Sequence, residues 1–229
     1  MTGDPSKEQI LQQQKDHYHA YLKINNNPRY KHAWNFIARN AEKNAEILDI
    51  GCADGGFSEK LIGLGYPNCY GLEITEDAII ESSKKGVRVV RGSFLDKFPF
   101  QEARFDIIFA GEVIEHTIDD DFFLAECHRC LKRGGYLILT TPNLVSLGNR
   151  ILMLFGKMPR FAYSEFHYRI YNEKLIADKI KKAGFDIIEI GSNYILISTF
   201  FNKIIGTAGE FLGKIFPSFG ENLILYGKK

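Results

Sequence analysis

The sequence predicts an α/β fold built on a seven-stranded, mostly parallel sheet, and three observations predict it. Short apolar runs bounded by turn residues recur along the chain from Glu46 onward. Those runs are continuous instead of alternating with polar residues, as expected of strands covered on both faces. Stretches with helical spacing separate most of them, and strand-helix alternation is most simply satisfied by parallel strands with helices packed against the sheet. A chain of 229 residues is long enough for one well-buried domain with additions.

Taken in order, Lys7 to Asn44 is polar, rich in Gln and Asn, and interleaved with Tyr18, Tyr21, Tyr30, Trp34 and Phe36. A break at Asn25 to Pro28, "NNNP", divides it into two or three short helices, so residues 1–45 are expected to form an N-terminal helical cap on a main domain over 46–229. The strand segments are "EILDI", "CYGLEI", "VRVVRG", "FDIIFA", "GYLILTT", "FDIIEI" and "NLILYG", with helices expected from Phe57, Thr75, Phe122 and Tyr171. Asp119 to Asp121 suits a helix start, where the dipole favours acids, and Lys84 with Lys85 reads as a solvated face. Two apolar stretches broken by glycine, at about 144–163 and 194–217, interrupt the rhythm and read as insertions that form a lid or a dimer interface.

The formal charge of +1 gives no general pull toward nucleic acid, and no nucleic-acid partner is expected. No stretch reaches the roughly 20 uninterrupted apolar residues needed to cross a bilayer. Met1 to Gln9 lacks the basic start and apolar centre of a secretory signal, so a cytoplasmic protein is expected. Cys127 and Cys130 form a C-x-x-C pair without a second pair at metal spacing; with Cys52 and Cys69 they are expected to be reduced structural thiols.

The first strand leads into "GCADGG". In a parallel sheet the first strand-to-helix turn commonly holds a nucleotide, because Gly51 and Gly55 let backbone approach a ligand and helix-start amides face it. A dinucleotide turn would read G-x-G-x-x-G, which Gly51, Ala53 and Gly56 only approximate, and it usually has an apolar residue where Asp49 stands. A carboxylate there suits a cationic ligand, such as the sulfonium and ammonium of S-adenosylmethionine.

"LDIGCADGG", "GLEI", "GSFLDKFPF", "FDIIFAGEVIEH" and "LKRGGYLILTTPN", in that order, resemble the motifs of the class I S-adenosylmethionine-dependent methyltransferases. The resemblance is strong from Glu46 to about Asn143 and looser beyond. It implies a Rossmann-like fold with the last strand antiparallel, and S-adenosyl-L-methionine as cofactor with S-adenosyl-L-homocysteine as product. It assigns Asp49 and the turn of Gly51, Cys52, Ala53 and Gly55 to the methionine part, and Glu73, followed by Ile74, to the ribose hydroxyls. Ser93 and the backbone of Phe94 fall to the adenine. Relatives often carry an acid at the place of Ser93 and glycine at that of Ala53; Asp96 is the substitute for the missing acid. Glu112 would meet the cofactor through its backbone.

Methyl transfer needs alignment and exclusion of water, and a base only where the acceptor must lose a proton. "EVIEH" places Glu112, Glu115 and His116 after the fourth strand, on one face if the stretch is helical. Three roles stay open: catalysis by Glu115, His116 and the later His167; a divalent cation on Glu112, Glu115, His116 and His167, as in similar methyltransferases of ubiquinone precursors and small-RNA ends; or simple bracing of the loop. The expected reaction is methyl transfer, at oxygen, to a small-molecule or lipid-like acceptor. Lys and Arg outnumber Asp and Glu after Asn143, which adds an expected peripheral contact with an anionic membrane. The competing functions are a nicotinamide-dependent oxidoreductase and a cofactor-binding module without turnover.

Overall fold

The computed structural model describes residues 28–162, 167–193, 213 and 215–229. Its strands are β1 (Ile47–Ile50), β2 (Cys69–Glu73), β3 (Arg88–Arg91), β4 (Phe105–Gly111), β5 (Leu131–Pro142), β6 (Asp186–Ser192) and β7 (Asn222–Lys228). They form one seven-stranded sheet in the order β3-β2-β1-β4-β5-β7-β6. β1 pairs in parallel with β2, setting Asp49 beside Gly71, and β2 pairs in parallel with β3, setting Glu73 beside Arg91. β7 runs antiparallel to both β5 and β6, which is the expected insertion of the last strand.

The continuous apolar runs mark the inner strands. All of β1 is buried and all but the last residue of β7 is buried, so neither face of these strands meets water. The outer strands differ: Arg88 and Arg91 of β3 and Asp186 and Glu189 of β6 are exposed, and charge along an edge discourages further strand pairing. Strand order reverses between β1 and β4, the place where open α/β sheets receive ligands.

The helices are α1 (Pro28–Asn40), α2 (Gly56–Gly63), α3 (Glu76–Lys84), α4 (Asp120–Cys130), α5 (Leu147–Leu154) and α6 (Glu173–Lys182). Their starts are legible: α1 opens on Pro28, which needs no amide partner there, and α6 is capped by Asn172, whose Oδ1 accepts the Leu175 N–H at 2.8 Å. α4 begins two positions ahead of Phe122, and Asp119 Oδ1 accepts the Phe122 N–H at 2.8 Å. One difference matters for the site. "EVIEH" is not an α-helix; only Ile114–His116 turn, as a single 3-10 turn, while Glu112 stands before it with φ +57.

The chain divides into two compact units, one holding 28–109 and 129–135 of the described residues and the other 110–128 and those after 135. The first has an aromatic centre. Phe57 stacks on Phe109 at 3.8 Å between centroids and on Trp34 at 5.7 Å, and Trp34 Nε1 donates to the Phe57 carbonyl at 3.1 Å. Helix α1 therefore belongs to this core, with Ala33, Phe36 and Ile37 buried. The second unit is braced by a polar cluster in which buried Asp120 accepts Tyr171 Oη at 2.8 Å and Lys179 Nζ at 2.5 Å. The four cysteines are buried thiols outside any disulfide. Of the apolar insertions, the first contributes α5; residues 194–212 and 214 of the second, and 163–166, lie outside the described residues, as do the helices expected before Pro28.

Candidate active site

In the first unit, hydrogen bonds fix the shape of the glycine turn. The Gly51 N–H donates to the Leu72 carbonyl of β2 at 2.9 Å, and the Gly55 N–H donates to the Cys52 carbonyl at 2.8 Å. Gly51, Ala53 and Gly55 all have positive φ, at 66, 46 and 76 degrees. Ala53 is thus the strained member, since a Cβ disfavours this region. Gly55 has a second reason to be glycine, because a Cβ there would stand 2.7 Å from the Ser82 Cβ of α3.

Glu73 closes this turn. Its Oε2 accepts the Ala53 N–H at 3.1 Å, and its Oε1 accepts the N–H groups of Ile74 at 2.7 Å and Thr75 at 2.9 Å. The acid expected beneath a ribose is therefore also the latch that fixes the conformation of Ala53. Ser93 lies next to it, with the Gly92 N–H donating to the Glu73 carbonyl at 3.0 Å. The Ser93 hydroxyl accepts the Leu95 N–H at 3.0 Å, so it shapes the loop that carries Phe94 and Asp96. Asp49, Gly51, Cys52, Ala53, Gly55, Glu73, Ile74, Ser93 and Phe94 all lie in this first unit.

Asp49 is the electrostatic centre of the turn. It is 3% exposed and accepts Ser58 Oγ at 2.9 Å. Burial pushes its carboxyl up to about 7, with Glu73 and Asp54 adding to the rise and the Ser58 bond opposing it. A buried acid in such surroundings is costly to ionise unless a cation joins it. Two partners were not legible locally. Ser58 sits inside the helical pattern that begins at Phe57, and Lys85, expected as solvated, instead reaches Asp54 Oδ2 at 2.7 Å with its side chain 21% exposed. Lys84 is the solvated member of the pair, bonded to Glu81 at the surface.

The second unit gathers another set. Glu115, His116 and His167 each offer a ligand atom, all within 4.8 Å of one another. The rings of His116 and His167 meet edge to face at 5.0 Å. Glu115 is 1% exposed and its Oε2 accepts Thr141 Oγ1 at 3.2 Å. The His167 segment is brought to it by the N–H groups of Tyr168 and Arg169, which donate to the Glu115 carbonyl at 2.9 and 3.1 Å. Glu115 and His167 help line a small concavity, whose other walls include Leu144, Phe161, Arg169 and Ile170.

Glu112 does not join this set. Its carboxylate is turned into the polar interior of the second unit, accepting Thr140 Oγ1 at 2.9 Å and Asn222 Nδ2 at 2.9 Å. Asn222 is paired in turn with Asn193, whose Nδ2 donates to its Oδ1 at 2.8 Å. The shared helical face expected for Glu112, Glu115 and His116 is thus replaced by a kink. The left-handed backbone at Glu112 sends its side chain to β5 and β7 and leaves the 3-10 turn to carry Glu115 and His116. Thr140, Thr141 and Asn222 are partners of Glu112 and Glu115 that only the folded chain reveals.

Comparison with known proteins gives consistent findings. Residues 48–139 match the family model described as a methyltransferase domain. A probable S-adenosylmethionine-dependent methyltransferase of Mycolicibacterium smegmatis is 27% identical over 143 residues, covering 62% of this chain and 52% of that one. A ubiquinone biosynthesis O-methyltransferase of Chelativorans sp. is 34% identical over 113 residues, covering 46% of this chain and 44% of that one. The chain thus spans about half the length of these curated relatives. Among solved structures, an S-adenosylmethionine-dependent methyltransferase from Thermotoga maritima superposes with a TM-score of 0.66 at 19% identity, covering 96% of this chain and 98% of that one, which speaks for the fold. None of these findings favours the nicotinamide alternative. Residues 48–139, with Asp49, the glycine turn and Glu73 in their expected order, are thus those of an S-adenosylmethionine-dependent methyltransferase domain, whose cofactor is S-adenosyl-L-methionine.

Proposed function

We propose that the protein transfers the methyl group of S-adenosylmethionine to a hydroxyl oxygen of a small, largely apolar or lipid-like acceptor. The observation that carries the reading is the meeting of Glu115, His116 and His167 beside a concavity walled by Leu144, Phe161 and Ile170. The apolar walls suit a greasy acceptor, and the imidazoles suit an acceptor that must lose a proton. The relative named as a ubiquinone biosynthesis O-methyltransferase supports oxygen as the accepting atom. In the transfer, an oxygen lone pair forms the new bond to the methyl carbon as the carbon-sulfur bond breaks. The electron pair stays on sulfur, giving S-adenosylhomocysteine, and the hydroxyl proton passes to an imidazole.

A second reading shares the same residues. A carboxylate and two imidazoles at this spacing fit a divalent cation after a slight tightening, and such an ion lowers the pKa of a bound hydroxyl. Glu115, His116 and His167 would hold it, while Glu112 stays with Thr140 and Asn222. Labelled-methyl transfer to a panel of phenols, prenylated phenols and amines tests the proposal. His116→Ala and His167→Ala are each expected to lower turnover by about 10²–10⁴-fold, the usual worth of a positioned base, with S-adenosylhomocysteine binding unchanged. Loss of activity on chelation, restored by added magnesium or manganese, selects the metal reading; indifference to chelation selects the base. Tight cofactor binding with no label in any acceptor overturns both in favour of a binding module.

A further inference from the structure

The described surface has one concentrated apolar projection. Helix α5 ends at Leu154, which is 83% exposed, and the next residue, Phe155, is 77% exposed, with Met158 at 54% just beyond. Single exposed apolar residues are ordinary, but three at one tip are not. The tip is also not a frayed end. Ser146 caps the helix by accepting the Asn149 N–H, and buried Asn149 ties both limbs of the projection together. Its Nδ2 donates to the Leu144 carbonyl at 2.9 Å on the way out, and its Oδ1 accepts the Arg160 N–H at 2.8 Å on the way back. Gly156, with φ +67, makes the turn between them, and the Lys157 N–H donates to the Leu152 carbonyl at 2.9 Å. The fold thus holds Leu154 and Phe155 out in water deliberately.

Charge decides what covers them. Residues 143–162 contain Arg150, Lys157 and Arg160 and no acid at all. Arg150 is held at the base over the Phe219 ring at 4.8 Å, and Arg160 meets Glu221 at 3.3 Å, while Lys157 sits exposed beside the apolar tip. A second copy docked about a two-fold axis would set these cations against themselves, since such an interface opposes each patch to its own image. An anionic surface meets no such repulsion. The same segment then runs into the concavity of the candidate site, which Leu144 and Phe161 line.

From this we propose that the α5 tip is a membrane-contact site, with Leu154 and Phe155 seated among lipid chains and Lys157 at anionic headgroups. No described helix is long and apolar enough to cross a membrane, so the contact is interfacial. The proposal stands apart from the methyl-transfer reading, because attachment is measured without turnover.

Co-sedimentation of the full chain with vesicles of phosphatidylcholine alone, and of phosphatidylcholine with phosphatidylglycerol, tests it. The protein should pellet with the anionic vesicles, less so at high salt, and remain in solution with the neutral ones. Leu154→Ser combined with Phe155→Ser should weaken attachment about tenfold or more, and Lys157→Glu should remove most of the preference for phosphatidylglycerol. Both changes lie on exposed side chains, so an unaltered melting curve and unaltered S-adenosylhomocysteine binding will accompany them. Equal attachment of the Ser double variant would overturn the proposal, and so would absence of attachment in the unaltered protein, whether or not a dimer that the double variant dissolves is found in its place. Failure of cofactor binding in all variants would instead strike the methyltransferase reading and leave the vesicle result standing.

Discussion

Asp49 ties the proposed cofactor site to a measurable titration. Its burial, with two acidic neighbours adding, pushes its carboxyl up to about 7. A cationic ligand needs the carboxylate, so binding must expel the carboxyl proton. Affinity for S-adenosylhomocysteine, which keeps the ammonium, is therefore expected to fall as pH drops below about 7, approaching tenfold per unit. Titration calorimetry at several pH values, in buffers of different ionisation enthalpy, reads both the affinity and the released proton. Asp49→Asn should bind weakly at every pH and release none. A flat affinity profile for the unaltered protein would mean that Asp49 does not face the cation. Glu73 answers to a different measurement, because it also latches Ala53: Glu73→Gln keeps only part of that latch, and its affinity loss should come with greater exchange of the Ala53 amide.

At the scale of elements, the glycine turn works because β2 comes unusually near to it. A Cβ on Gly71 would stand 2.5 Å from the Cys52 Sγ and 3.2 Å from its Cβ, in a region where Cys52 is 5% exposed. Gly71→Ala is expected to cost about 1–3 kcal/mol through overpacking. Adding Cys52→Ala should recover part of that loss in a double-mutant cycle followed by urea unfolding. Strict additivity would show that the two side chains do not compete for the same space. This proximity was invisible in the sequence, where Gly71 reads only as a strand residue, although the strands themselves were plain. "EILDI" and "NLILYG" announced inner strands because both of their faces are covered. "EVIEH" misled because its spacing fits a helix, whereas a left-handed residue at Glu112 breaks the pattern, and such a backbone leaves no periodic trace. His167 could be nominated only by residue type, since its approach to Glu115 depends on main-chain bonds across fifty residues of intervening fold.

Across the whole molecule, the same buried acid sets stability against function. An ordinary paired carboxylate such as Asp121, held below its usual value by Lys182 and Lys179, adds stability that is lost as pH falls. Asp49 does the opposite. Its folded value lies near 7 and its unfolded value near 3.8, so the folded state holds the proton more tightly across that window. The stabilising proton is fully present below pH 3.8 and is drained as pH rises toward 7, leaving a buried charge whose cost is on the order of 4 kcal/mol. Ligand-free Asp49→Asn, which keeps an oxygen to accept Ser58 Oγ but carries no charge, is accordingly expected to be more resistant to urea than the unaltered protein at pH 8, with the difference falling to less than half at pH 5. Bound S-adenosylhomocysteine should narrow the pH 8 difference, because it stabilises only the protein that retains the carboxylate, by roughly 2.7 kcal/mol at a hundredfold excess over its dissociation constant. Urea midpoints for both proteins, with and without ligand at the two pH values, give the comparison. An Asn variant less stable than the unaltered protein at pH 8 would show that the Asp49 charge is already compensated within the folded chain, and would remove the argument that it pairs with a cation.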